Sequence, residues 1–142
     1  MSIGSAGNLG TGAISIEAAG TLQSTGTVTL NNTPITLAAG STVSVTGAKH
    51  LTLSGALSGA GGSLTKTDTG TLTLSNGGNS YDAGTTISAG TLALSGSGIL
   101  PATGTVTNNS ALDISQITAG SLALGAIAGT GTIYAGGKAL TA

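Results

Sequence analysis

The strongest constraint on this chain is alternation. Aliphatic residues recur at every second position in short runs, and the runs themselves return about every twenty residues. Ala13-Ile14-Ser15-Ile16, Thr27-Val28-Thr29-Leu30, Thr42-Val43-Ser44-Val45 and Leu51-Thr52-Leu53-Ser54 share the pattern. So do Thr71-Leu72-Thr73-Leu74, Thr91-Leu92-Ala93-Leu94, Ala111-Leu112-Asp113-Ile114 and Ser121-Leu122-Ala123-Leu124. A period of two places the aliphatic side chains on one face of a strand and the small polar ones on the other. No stretch combines helical periodicity with helix formers, so an all-β fold is expected.

The longer rhythm says how the strands assemble. Leu51, Leu72, Leu92 and Leu112 begin equivalent runs 21, 20 and 20 residues apart, and Gly62, Gly84 and Gly104 follow at 22 and 20. Two interleaved series with one period mean that each unit holds two or three strands joined by turns. Winding once per unit stacks equivalent strands in parallel, about 4.8 Å apart, and aligns the aliphatic residues into ladders. The expected architecture is one parallel β-solenoid domain over residues 1–142, with six or seven coils. Residues 1–50 form degenerate coils, 51–125 the clear repeat, and 126–142 the start of a further one. There, Ala126-Ile127-Ala128-Gly129-Thr130-Gly131-Thr132-Ile133 echoes Ala56 to Leu64. The expected core is Leu53, Leu72, Leu74, Ile87, Leu92, Leu94, Val106, Leu112 and Ile114.

Composition enters because it offers a rival reading. Of 142 residues, 26 are Gly and 42 are Ser or Thr, and only Glu17, Lys49, Lys66, Asp68, Asp82, Asp113 and Lys138 carry formal charge. Such a make-up suits a disordered tract, but a disordered tract has no reason to alternate. A thin aliphatic core explains both the alternation and the scarcity of rings, the aromatics being Tyr81 and Tyr134 alone. Turn chemistry agrees. Asn31-Asn32 and Asn108-Asn109 each follow a Thr-Val-Thr run, or its Thr-Val-Thr-Leu extension, and are expected at laddered corners. Gly61, Gly62, Gly77, Gly78, Gly136 and Gly137 are expected to supply positive φ. Pro34 and Pro101 are expected at strand entrances.

One stretch resembles a known family. It starts at Gly62-Ser63-Leu64-Thr65-Lys66-Thr67-Asp68-Thr69-Gly70-Thr71-Leu72-Thr73-Leu74-Ser75 and continues through Asn79-Ser80-Tyr81. It then runs over Gly84-Thr85-Thr86-Ile87-Ser88-Ala89-Gly90-Thr91-Leu92 to Leu100-Pro101-Ala102-Thr103-Gly104-Thr105-Val106. This resembles the autotransporter-associated β-strand repeat, or passenger-associated transport repeat, of bacterial surface and secreted proteins, over about residues 53–115. Asp68 departs from the usual Gly or Ala, and Asp82-Ala83 from a Thr-Gly or Gly-Gly pair. The resemblance implies a right-handed β-helix, exported to the bacterial surface or beyond, and used as a stalk or passenger scaffold.

Inventory narrows the chemistry. His50 is the only histidine and neither Cys nor Arg occurs, so no Cys/His pair or guanidinium clamp can form. His50 lies in Lys49-His50-Leu51 without a nucleophile elbow, and is expected at an exposed coil corner. Asp68, Asp82 and Asp113 are 14 and 31 residues apart, not one coil period, and are expected as solvated turn residues rather than paired acids. Calcium repeats with Asp at nine-residue intervals are absent. The expectation is therefore no catalytic, cofactor or metal site. A net charge of −1 with no basic cluster leaves no footprint for nucleic acid, and no apolar run reaches membrane-helix length. Asn31-Asn32-Thr33 and Asn108-Asn109-Ser110 fit glycosylation acceptors but read better as corners.

Two further expectations concern surfaces. Thr27/Thr29, Thr71/Thr73 and Thr105/Thr107 form Thr-x-Thr pairs of the sort that line ice-binding solenoids. Yet one coil series reads Thr52, Thr73, Ala93, Asp113, which breaks the ladder. A solenoid also has an open strand edge at each end, and no capping helix, charged end strand or aromatic plug is evident. Head-to-tail stacking of copies into a filament is one consequence, and a piece of a longer passenger is another. The functional expectation is a non-catalytic extracellular scaffold. An adhesive or ice-binding module, contacting surface or matrix ligands through Thr-rich faces, and a polysaccharide-active enzyme are the alternatives.

Overall fold

A computed structural model describes residues 1–5, 9, 11–32 and 34–142. Thr33, the last residue of the first acceptor pattern, lies outside the described residues. The described residues form eighteen short strands, β1 to β18 in chain order, and no helix. Every pairing between strands is parallel, with partners about one coil apart in sequence. The chain is a β-solenoid of about six turns, and each turn passes through three faces.

The first face is a seven-stranded sheet: β1 (Ser2–Ile3), β3 (Thr21–Ser24), β6 (Ser41–Val45), β9 (Leu64–Thr67), β11 (Thr85–Ile87), β13 (Thr105–Asn108) and β16 (Ala126–Ala128). The second has six strands: β4 (Val28–Leu30), β7 (His50–Leu53), β10 (Thr71–Leu74), β12 (Thr91–Gly96), β14 (Ala111–Ile117) and β17 (Thr132–Tyr134). The third begins as β2 (Ile14–Ile16), β5 (Ile35–Leu37) and β8 (Leu57–Ser58). At the corresponding place in the last coils, β15 (Ser121–Ala123) pairs with β18 (Ala139–Thr141).

Register fulfils the longer rhythm on the second face. Leu51 pairs with Leu72, Leu72 with Leu92 and Leu92 with Leu112. Val28 extends the column at one end and Ile133 at the other. A second column runs Leu30, Leu53, Leu74, Leu94. All nine expected core residues are buried. Stacking identical branched side chains at strand spacing removes them from water while the ladder satisfies the backbone.

The glycine series behaves differently. Leu64, Thr85 and Val106 are the register partners, so Gly84 matches Ser63 and Thr105 rather than Gly62 and Gly104. Gly61, Gly136 and Gly137 do adopt positive φ, but Gly62, Gly77 and Gly78 do not. Gly62 answers to crowding instead: a Cβ there would stand 2.3 Å from the Leu37 carbonyl oxygen. The Asn pairs also depart from expectation, since none of the four has positive φ and they end strands on different faces. Asn32 and Asn108 are buried and reach along the stack, their Nδ2 groups donating to Gly12 O (2.5 Å) and Thr132 O (2.9 Å). Pro34 immediately precedes β5, whereas Pro101 sits buried in the loop before β13. Finally, Ala126–Ala128 lies on the first face, pairing with β13. It takes the place of β9 rather than of Ala56–Ser58, because alternation with glycine looks alike on every face.

Candidate functional site

The residues singled out from sequence for chemistry are not brought together. His50 is exposed at the start of β7, beside Thr71 in register. Asp68 is exposed where the chain turns from the first face to the second, and Ser44 Oγ donates to its carboxylate. Asp82 is exposed before β11 and accepts from Gly61 N–H at 2.6 Å. Asp113 is no turn residue: it is half-buried inside β14, where the register with β12 shifts. There it accepts from Ser115 N–H at 2.9 Å, supplying a partner within the bulge. Each acid is used locally by a neighbouring donor. Among the described residues no three His, Cys, Asp or Glu side chains converge as metal ligands.

Other polar residues that sequence reading passed over also lie inside. Lys66 stands in an aliphatic column, its register partners being Val43 and Ile87, and its side chain is buried. The Nζ group donates to three backbone carbonyls: Thr67 O at 2.5 Å, Asp68 O at 2.7 Å and Ala89 O at 3.3 Å. Burial pushes its pKa down to about 8, with the Asp68 charge pulling the other way. Alternation with Leu64 already pointed this side chain inward. Its charge concealed the signal.

Tyr81 is fully buried, although the thin core was expected to exclude rings. The ring lies where the third face has no strand, at residues 79–81 and 99–101. The phenol pairs with the buried Thr85 hydroxyl at 2.7 Å. That bond explains a polar residue standing between Leu64 and Val106 in register. Desolvation raises the phenol's pKa, and the Thr85 bond offsets part of that rise.

Where the third face loses its strands, a backbone bond from Ser80 N–H to Leu57 O at 2.8 Å remains, and Asn79 adds to it. The buried side-chain amide accepts from Leu57 N–H at 2.9 Å and donates to Ile99 O at 2.9 Å. One amide thus links three successive coils as a peptide unit would. No buried side-chain nitrogen or oxygen among the described residues lacks a partner.

The outer faces complete the inventory. The Thr pairs grouped from sequence divide between two faces. On the second face the column reads Thr29, Thr52, Thr73, Ala93, Asp113, Tyr134, broken as expected. On the first face it reads Thr21, Thr42, Thr65, Thr86, Thr107 without a break, and ends at Ala128. Equal spacing on two faces made this column invisible without register. No helix of the described residues is long and apolar enough to cross a membrane.

With this geometry in hand, comparison with known proteins adds one finding. The model of the passenger-associated-transport-repeat matches residues 64–94. No characterised protein and no solved structure matches the chain significantly. The matched stretch runs from β9 to Leu94 of β12 and holds Lys66, Asn79, Tyr81 and Thr85. Within it, the side chains of Lys66 and Asn79 bond to neighbouring coils, and the Tyr81–Thr85 pair lies inside one coil. Repeat and solenoid together support a structural protein of the autotransporter-passenger type.

Proposed function

We propose that the chain is a non-catalytic rod of an exported bacterial passenger, holding other parts of a molecule away from the cell surface. The observation that carries this reading is the continuity of the parallel columns, from Val28 to Ile133 on the second face alone. A ladder unbroken over successive coils resists bending, because flexing it strains hydrogen bonds and close packing together. Seven strands on the first face correspond to a rod of roughly 30 Å at about 4.8 Å per step. Joining two copies in tandem and measuring the height of a terminal epitope above a coated surface tests the role. The epitope rises by about 30 Å per copy on this reading; unchanged height rejects it.

Stacking belongs to the same proposal. β16, β17 and β18 stand last in their sheets, with Ile133 and Tyr134 exposed nearby. A further coil of the same kind, in a longer chain or a second copy, fits there by parallel pairing. Electron microscopy at rising concentration separates growing filaments from dispersed short rods.

A second reading is favoured by the first-face threonines. Five stacked Thr side chains at constant spacing give an uncharged column suited to an adhesive or ice-binding contact. Thr65→Lys on this face would abolish such binding while Thr73→Lys on the second would not; equal effects reject the reading.

A further inference from the structure

The geometry points to a built-in cation site at the turn between β9 and β10: a cage of three backbone carbonyls that selects a primary ammonium and is filled from within by Lys66. Two walls, Thr67 O and Asp68 O, come from the turn itself, and the third, Ala89 O, comes from the next coil. An ammonium carries three N–H donors, and three acceptors are present. The negative ends of three carbonyl dipoles therefore converge on one positive head, and these are charge-assisted bonds.

The lysine stem belongs to the core, and its head belongs to the turn. Register sets Lys66 between Val43 and Ile87, so its methylenes continue an aliphatic column. The cage walls are themselves fixed. Asp68 holds left-handed backbone (φ 61), which a non-Gly residue adopts at a cost, and Ser44 of the preceding coil bonds its carboxylate. Gly90 closes the far side. A Cβ there would stand 2.3 Å from Gly70 O, 2.4 Å from Asp68 O and 2.9 Å from Lys66 Nζ, so no side chain fits.

Three successive coils meet at this point, through Ser44, residues 66–70 and residues 89–90. Between two backbone bonds, Ser88 N–H to Lys66 O at 2.9 Å and Thr91 N–H to Gly70 O at 3.2 Å, the ammonium adds a side-chain link from the middle coil to the next. Burial works against the ammonium form of Lys66, and the charge of Asp68, the titratable neighbour that acts on it, offsets part of that penalty. The cage thus acts as a register pin, with cation recognition turned inward.

Chemical rescue tests it. Lys66→Ala removes stem and head together, and its melting midpoint is expected to fall by roughly 5–10 °C. Ethylammonium chloride then raises the variant's midpoint more than the wild type's. Tetramethylammonium chloride at equal concentration, which brings charge without N–H donors, does not. An equal response to both ions, or no loss of midpoint, overturns the inference. Should Lys66→Ala fail to fold, the wild-type chain decides through nitrogen NMR at pH 6. A side-chain ammonium signal of Lys66 protected from solvent exchange supports the cage, and exchange as fast as that of exposed Lys49 overturns it.

Discussion

Leu92→Ala is the perturbation that interrogates the stacked columns most sharply. Leu92 is fully buried and is flanked in register by Leu72 on one coil and Leu112 on the next. Truncation removes three carbons and leaves a cavity whose walls belong to strands held on both sides by ladder bonds. Such walls collapse little, so the cost stays well above the lower end of the usual range, at about 3–4 kcal/mol. For a chain of this size that corresponds to roughly 10 °C in melting midpoint. Ile133→Ala is the control. It lies in the same column, but it is 36% exposed in the last strand of its sheet, and its truncation costs about 1 kcal/mol or less. Urea unfolding followed by circular dichroism measures both, and amide exchange at residues 72, 92 and 112 shows whether the loss spreads to neighbouring coils. Equal costs at positions 92 and 133 would refute the column argument.

Other expectations follow from the inner polar groups. Asn79→Ala strips partners from Leu57 N–H and Ile99 C=O and is expected to cost about 2–4 kcal/mol, with faster exchange at Leu57. Thr85→Val orphans the buried Tyr81 hydroxyl and costs about 1–3 kcal/mol, whereas adding Tyr81→Phe recovers most of it; a double-mutant cycle checks the coupling. Stability also depends on pH with a definite sign. The folded pKa of Lys66 lies below its unfolded value of 10.5, so the unfolded chain binds more protons above about pH 8, and stability rises with pH from there. Tyr81 acts oppositely, because its raised folded pKa makes the unfolded phenol ionise first, and stability falls from about pH 10 upward. Urea midpoints from pH 7 to 11 should rise and then turn over. Lys66→Met flattens the rise and Tyr81→Phe the fall.

Architecture was legible in the sequence because apolar alternation and coil period are both one-dimensional signals. Leu51, Leu72, Leu92 and Leu112 name their own register, and the core followed from them. Features set by the relation between faces were not legible. Asn31-Asn32 and Asn108-Asn109 look like one motif in the chain but end strands on two different sheets. Gly62 and Gly90 look alike too, yet one avoids a stacked carbonyl without positive φ and the other combines both demands. The Thr column from Thr21 to Thr107 needed the register to be recognised. Lys66 and Tyr81 were obscured by their own chemistry, since a charge and a ring are ordinarily placed outside a thin core. Their burial depends on partners, three carbonyls and Thr85, of which Ala89 alone lies on another coil.

The winding itself is measured most directly by distances between equivalent outward positions. The chain contains no cysteine, so paired cysteine substitutions accept spin labels without background. Thr29 is linked by successive register pairs to Ala93, Asp113 and Tyr134, which stand three, four and five coils away. At about 4.8 Å per coil, labels at Thr29 paired with each of these should give separations near 14, 19 and 24 Å, a constant increment for every twenty or so residues. Separations that fail to grow by that step, or that scatter as in an unfolded chain, would contradict the solenoid and the role built upon it.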